Sequence, residues 1–188
     1  MKCAVTNGGK SLLKVTISGP PGSGTSTLVT KLAEFRKWNY INGGDIFRAA
    51  AKDRGITIEE FSAICKNDLD TDRLLDSKLK EIMASTNTPE IMESRLCGWW
   101  ADELNTKCIK VWISVSGEER ARRIQNREGG DYASCLTKSK TRQKDDMERY
   151  IALYGINLDD MSPYDLIVEA DDKNEEEVFQ LVNQYLGT

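Results

Sequence analysis

Nine consecutive residues, Gly19-Pro-Pro-Gly-Ser-Gly-Thr-Ser-Thr27, have the types and spacing of a phosphate-binding loop. The usual pattern is Gly, four residues, Gly, Lys, then Ser or Thr. Gly19 and Gly24 hold the glycine positions and Ser26 the hydroxyl position, but Thr25 stands where the lysine belongs. Glycine lets a backbone wrap an anion, successive N–H groups then point inward, and a helix N-terminus adds positive potential. Gly19, Pro20, Pro21, Gly22, Ser23, Gly24, Thr25, Ser26 and Thr27 are therefore expected to hold the phosphates of a nucleotide, with Ser26 toward its Mg²⁺. Thr25 offers a hydroxyl or an amide in place of an ammonium, so the missing charge must come from elsewhere in the chain.

Arginine suits that task, because its planar fork binds two phosphate oxygens at once. Four groups of arginines stand beside expected hinges or strand ends. Arg48 falls one turn into a helix that Asp45 is expected to cap. Glu93 and Arg95 follow the apolar pair Ile91-Met92, at the carboxyl end of a strand, where open α/β sheets bind their ligands. Arg120, Arg123 and Arg127 fall at i, i+3 and i+7 on one helical face. Arg142 and Arg149, seven apart, share another face. Each has a plainer reading as a surface or salt-bridged residue, and Arg122 fits that reading best, in a charge run with i,i+4 pairs. Aspartates 68, 70, 72 and 76 are read as capping and charging a helix start. Their joint occurrence in a chain whose loop lacks its lysine favours a site role for the arginines.

These groups need a scaffold, and the hydrophobic pattern supplies one. A Gly/Pro/Ser-rich stretch alone is also the composition of a solvent loop. Here the β-branched run Leu13, Val15, Ile17 precedes it and the helical pattern Leu28, Val29, Leu32, Ala33 follows. Strands are expected near 14–18, 39–41, 90–93, 109–114 and 165–169. Helices are expected at 25–36, within 44–54 and 58–66, at 71–84, 96–104, 117–127, 137–154 and 174–186. Strands separated by helices imply right-handed crossovers and a parallel sheet, hence a three-layer α/β domain of five strands. Residues 128–136, with paired glycines between two charged helices, read as a mobile connector in the position of a lid.

With 188 residues the chain suits a single domain. A net charge of −4, from 26 basic against 30 acidic residues, argues against a nucleic-acid partner. No apolar run suits a membrane span or a signal peptide. Five widely spaced cysteines without a Cys-x-x-Cys pair fit a reducing cytoplasm rather than a disulfide framework or zinc site. Histidine is absent, which removes His-based acid–base chemistry. Neither Asp-x-x-Gly nor Asn-Lys-x-Asp occurs, against a regulatory GTPase. The tryptophan pair Trp99-Trp100 is read as packing rather than as pocket lining.

Taken together, these residues resemble the archaeal-type cytidylate kinases of the nucleoside monophosphate kinase family. The matching segments include Ile17–Thr27, Gly44–Arg48, Glu93–Leu96, Lys110–Ile113, Arg120–Ile124, Arg127-Glu128, Glu148–Tyr150 and Ser162–Leu166, in family order. That branch ends its loop in Gly-Thr-Thr-Thr-like fashion, which accounts for Thr25. The resemblance implies a P-loop kinase fold with an acceptor-binding segment at about 42–86 and a short lid at about 127–140, in one domain over 14–188. Residues 1–13 have no counterpart and read as an extension. It further implies that the loop holds the ATP phosphates, that Arg48, Arg95 and Glu93 bind the acceptor phosphate side with Asp45 shaping that pocket, and that Arg123 and Arg127 close over the transferring group. Arg142 and Arg149 reach in from the other flank. The implied reaction is transfer of the γ-phosphoryl of Mg·ATP to CMP or dCMP by a cytoplasmic monomer. AMP or UMP as acceptor, or a nucleotide-binding protein with little turnover, stand as alternatives. Ser94 departs from the family's glycine and is expected to crowd a close backbone approach.

Overall fold

The computed structural model describes residues 12–57, 60, 61, 64, 65 and 68–187. Strand β1 (Val15–Ser18) lies at the centre of a five-stranded parallel sheet. It is flanked by β3 (Ile91–Glu93) and β4 (Ile109–Ser114), with β2 (Tyr40–Asn42) and β5 (Leu166–Glu169) at the edges, in the order β2-β3-β1-β4-β5. The expected sheet is present, and the register decides what meets at its carboxyl edge. Ile17 stands beside Glu93 and Glu93 beside Asn42.

Side chains alternate across each strand. Val15, Ile17, Ile91, Val111, Ile113 and Val168 face one side, where Leu28, Val29 and Leu32 of α1 (Thr25–Arg36) close over them. Val178, Phe179 and Val182 of α7 (Glu175–Tyr185) complete that core. Met92 points the other way, into a second core with Leu79 and Met83 of α3 (Leu69–Ala84), Trp100 of α4 (Cys97–Glu103), and Tyr150 and Leu153 of α6 (Tyr132–Tyr154). Burying each such side chain contributes about 1.5–3 kcal/mol relative to leaving it in water. The three layers follow from these two apolar faces.

Several boundaries differ from the sequence reading, each for a local reason. Helix α2 (Gly43–Asp53) is capped by Asn42, whose side chain accepts from the Gly44 N–H at 2.8 Å, and not by Asp45, which sits in the first turn. Asp68 caps α3, accepting from the Asp70 N–H at 3.1 Å, so that helix starts at Leu69 rather than 71. Asp70 pairs with Arg73, and Asp76 accepts from the Tyr154 hydroxyl at 2.8 Å. The Asp72 side chain and most of the helix expected at 58–66 lie outside the described residues. Phe61 and Cys65 are described, and both pack with Ala51 of α2.

The largest difference concerns the connector. Helix α6 begins at Tyr132, capped by Asp131 through the Ser134 N–H at 3.0 Å, not at 137. Tyr132, Cys135 and Leu136 pack on Ala121 and Ile124 of α5 (Gly117–Glu128), an apolar contact strong enough to set the helix there. The break between α5 and α6 shrinks to Gly129, Gly130 and Asp131, both glycines at positive φ (76° and 94°).

Candidate active site

The loop after β1 has the backbone its glycines were expected to permit. Gly22 and Gly24 adopt φ of 85° and 90°, a region that L side chains rarely enter. A Cβ at Gly19 would lie 2.6 Å from Ser23 Oγ and 2.8 Å from the Ile113 carbonyl, so the strand-to-loop corner has no room for one. The Ser23 N–H closes a turn onto the Pro20 carbonyl at 3.1 Å, and the Leu28 N–H bonds the Gly24 carbonyl at 3.1 Å as α1 begins. The loop thus runs directly into a helix N-terminus.

Thr25, in the lysine's place, donates its hydroxyl to Glu93 Oε1 at 2.9 Å across 68 residues of sequence. Burial pushes the Glu93 carboxyl above the usual carboxylate range, while the Thr25 hydroxyl and the charges of Arg95 and Arg48 oppose that shift. Ser26 Oγ accepts from Asn42 Nδ2 at 3.1 Å. Asn42 therefore has two duties: its oxygen caps α2 and its nitrogen holds the loop serine. Sequence reading passed over Asn42, because its second partner lies on another element. A polar residue at the end of an edge strand, just before Gly-Gly, was the available signal.

In front of the loop lies a cavity of about 820 Å³ lined by Pro20–Gly22, Thr25 and Ser26, by the start of α2, and by Glu93–Leu96. Arg48, Arg95, Arg127, Arg142 and Arg149 all line it, drawn from α2, the β3–α4 turn, the end of α5 and α6. Carboxylates hold several of them in place. Arg95 donates through Nε to Asp146 at 3.0 Å and Arg149 through Nη2 to the other Asp146 oxygen at 2.8 Å. Arg48 pairs with Asp45, and Arg127 with Glu128. Asp146 was not singled out in the sequence, and α6 brings it between two arginines that lie 54 residues apart (149 minus 95). Arg95 and Arg149 are largely buried, whereas Arg48 and Arg127 are more than half exposed at the mouth. A guanidinium held by a carboxylate is preset for an anion that can compete for its free face.

Arg123 is placed differently. Its Nε donates to Glu119 at 3.1 Å, Nη1 to the Ser23 carbonyl at 3.1 Å and Nη2 to the Ala170 carbonyl, so it grips the loop from outside the cavity lining. Asp45 also stays out of the lining, on the exposed side of α2. Arg120, on the same α5 face, is buried behind the loop.

Trp100 is 2% exposed and meets Tyr154 edge-to-face at 4.9 Å, and neither Trp99 nor Trp100 lines the arginine cavity, as the packing reading expects. Ser94 does stand at a close approach, because a Cβ on Gly43 would come within 2.8 Å of Ser94 Cβ. Gly43, which carries no Cβ, supplies the room that the Ser94 side chain needs. Among the described residues, no cluster of His, Cys, Asp or Glu has the composition of a metal site, and no helix is long and apolar enough to cross a membrane.

Solved structures with the same architecture include a shikimate kinase from Bacteroides thetaiotaomicron (TM-score 0.59, 14% identity, covering 94% of this chain and 99% of that one). A gluconokinase from Sinorhizobium meliloti 1021 is a second (TM-score 0.58, 19% identity, 94% and 93% covered). At such identities the likeness speaks for the P-loop kinase fold alone. Sequence relatives are nearer. A cytidylate kinase of Halobacterium salinarum is 42% identical over 154 residues, 82% of this chain and 79% of its own. One from Methanospirillum hungatei JF-1 is 36% identical over 177 residues, 94% and 97%. The model of the cytidylate kinase-like family matches residues 14–172, a span that runs from the first strand through the loop and every cavity arginine to the end of the sheet. That span and those identities settle the affiliation: the chain belongs to the cytidylate kinase-like family.

Proposed function

We propose that the protein transfers the γ-phosphoryl group of Mg·ATP to CMP or dCMP, giving ADP and CDP or dCDP. The observation that carries this reading is the meeting of five arginines from four segments in front of a glycine loop that lacks its lysine. An acceptor phosphate oxygen is already anionic, so its attack on the γ-phosphorus needs no general base, which suits a chain without histidine. The new O–P bond forms on the acceptor while the bond from phosphorus to the β–γ bridging oxygen breaks, and ADP leaves with that electron pair. The protein's share is positioning and charge neutralisation.

In this reading the loop N–H groups hold the donor phosphates, and Arg48 and Arg95 hold the acceptor phosphate beside Glu93. Arg127, Arg142 and Arg149 neutralise charge on the group in transfer, and Arg123 acts from its place on the loop. Gly129 and Gly130 are the hinge on which a lid at about 127–140 closes and excludes water. Ser26, a hard hydroxyl oxygen kept in place by Asn42, fits Mg²⁺ together with the nucleotide's phosphates. The metal would supply charge neutralisation at the phosphate oxygens. The protein works as a monomer on small nucleotides in the cytoplasm, and the unoxidised thiols of Cys97, Cys108 and Cys135 support the reducing compartment.

The test is ADP formation from Mg·ATP with CMP, dCMP, UMP, AMP, GMP or no acceptor. Turnover confined to CMP and dCMP is expected. Preference for AMP or UMP would overturn the base assignment, and turnover without acceptor would overturn the kinase reading.

A further inference from the structure

Arg120 is 3% exposed, and its three recorded partners are all neutral oxygens. Nε donates to the Val115 carbonyl at 3.2 Å, at the exit of β4. Nη1 donates to the Pro21 carbonyl of the loop at 3.4 Å, and Nη2 to Gln143 Oε1 on α6. A guanidinium keeps its charge in proteins. Its hydrogen bonds all go to neutral acceptors, and the carboxylates of Glu118 and Asp171 favour the charge only through space. Burying a guanidinium so is costly, a cost that persists where the charge is used. The molecule has a use for it, because the loop that Arg120 supports carries Thr25 in place of lysine.

The contact with Pro21 also fixes a direction. A trans peptide is planar, with its C=O and N–H on opposite sides. No cis peptide occurs among the described residues, so a Pro21 carbonyl held toward Arg120 turns the Gly22 N–H away from it. The neighbouring arginine repeats the device one turn later, since Arg123 holds the Ser23 carbonyl at 3.1 Å and so orients the Gly24 N–H. Space allows nothing else at Gly22: a Cβ there would lie 3.4 Å from Arg120 Cβ and 3.2 Å from Ile124 Cδ1, at a φ of 85°.

We propose that Arg120 is a positioning residue for the donor nucleotide, supplying from behind the loop the positive charge that Thr25 lacks, aiming the Gly22 N–H at the donor phosphates, and tying that arrangement to α6 through Gln143. The inference rests on the loop being the donor site, as above. Its loop contact is made at Pro21, on the donor side, while it touches Arg95 only through charge, so its effect is expected to fall mainly on the donor.

Binding of Mg·ATP, inorganic tripolyphosphate and CMP is to be measured by calorimetry on the full chain, with thermal melts alongside. Arg120→Met is expected to weaken Mg·ATP and tripolyphosphate by about tenfold or more, the scale of a lost charged hydrogen bond. CMP affinity should stay within about twofold of wild type on the same reasoning. Adding Thr25→Lys to Arg120→Met should recover much of the lost tripolyphosphate affinity, which a residue that merely packs would not allow. Unchanged tripolyphosphate binding in Arg120→Met, equal losses for ATP and CMP, or no recovery with Thr25→Lys would each overturn the proposal. Should Arg120→Met fail to fold, Gln143→Leu serves: a raised KM for ATP with an unchanged KM for CMP supports the proposal, and an unchanged KM for ATP overturns it. A wild-type protein that binds neither ATP nor tripolyphosphate would overturn the donor-site reading itself, whereas failure of CMP alone would leave the tripolyphosphate comparison intact.

Discussion

Replacing Thr25 by valine keeps the side chain's shape and removes one hydroxyl. That hydroxyl donates to Glu93 Oε1 at 2.9 Å, and Glu93 is held above the usual carboxylate range by burial. A hydrogen bond to a charged group contributes about 1.5–3 kcal/mol, so the variant should lose about 2 kcal/mol at pH 8. The sign of the pH dependence follows from linkage. Because burial raises Glu93, the native state binds more protons than the unfolded chain between the ordinary carboxylate value and the folded one, and this group's contribution to stability falls as pH rises through that window. Valine removes one of the influences that oppose the shift, so the window extends upward and the gap from wild type widens as pH rises through it. Urea unfolding at several pH values, with the slope m held equal between the proteins, reads this directly. A loss of the same size at pH 5 and pH 8, or none at pH 8, would refute the account of Glu93 and Thr25 as a coupled pair.

Arg95→Ala and Arg127→Ala should each lower turnover by about 10²–10⁴-fold in the ADP-formation assay, as removed electrostatic donors do; near-normal turnover would remove that residue from the phosphoryl-transfer machinery. Gly130→Ala places a Cβ at a φ of 94° in open space, so strain alone acts, and a loss of about 1–2 kcal/mol is expected by chemical denaturation. Full stability there would mean that the hinge reaches its angle by another backbone path. The Cys97 thiol is pushed up to about 11 by burial and should stay protonated at pH 8. Iodoacetamide followed by peptide mapping should leave it unmodified in the native protein and modified after unfolding; rapid native labelling would contradict its placement beneath the β3–α4 turn.

Local pattern alone determined the sheet-and-helix order, the glycine loop and the positions of the arginines. Period-2 and period-3.6 hydrophobicity and glycine spacing are carried within a dozen residues of chain, so they are legible without tertiary contacts. The helix start at Gly43 was less legible because two local caps, Asn42 and Asp45, compete and strand β2 ends at the first of them. The start at Tyr132 was less legible because the Tyr132 to Leu136 packing on Ile124 depends on another element. Tertiary structure decided the pairings: Thr25 with Glu93, Asn42 with Ser26, Asp146 between Arg95 and Arg149, and Arg120 behind Pro21. Those partners come together only when strand register sets Asn42, Glu93 and Ile17 side by side and α6 folds back over the loop. A one-residue slip in any strand would turn these side chains to the other face. The residue types were written in the chain, but which charge each arginine answers to was fixed by the crossovers that bring distant segments to one sheet edge.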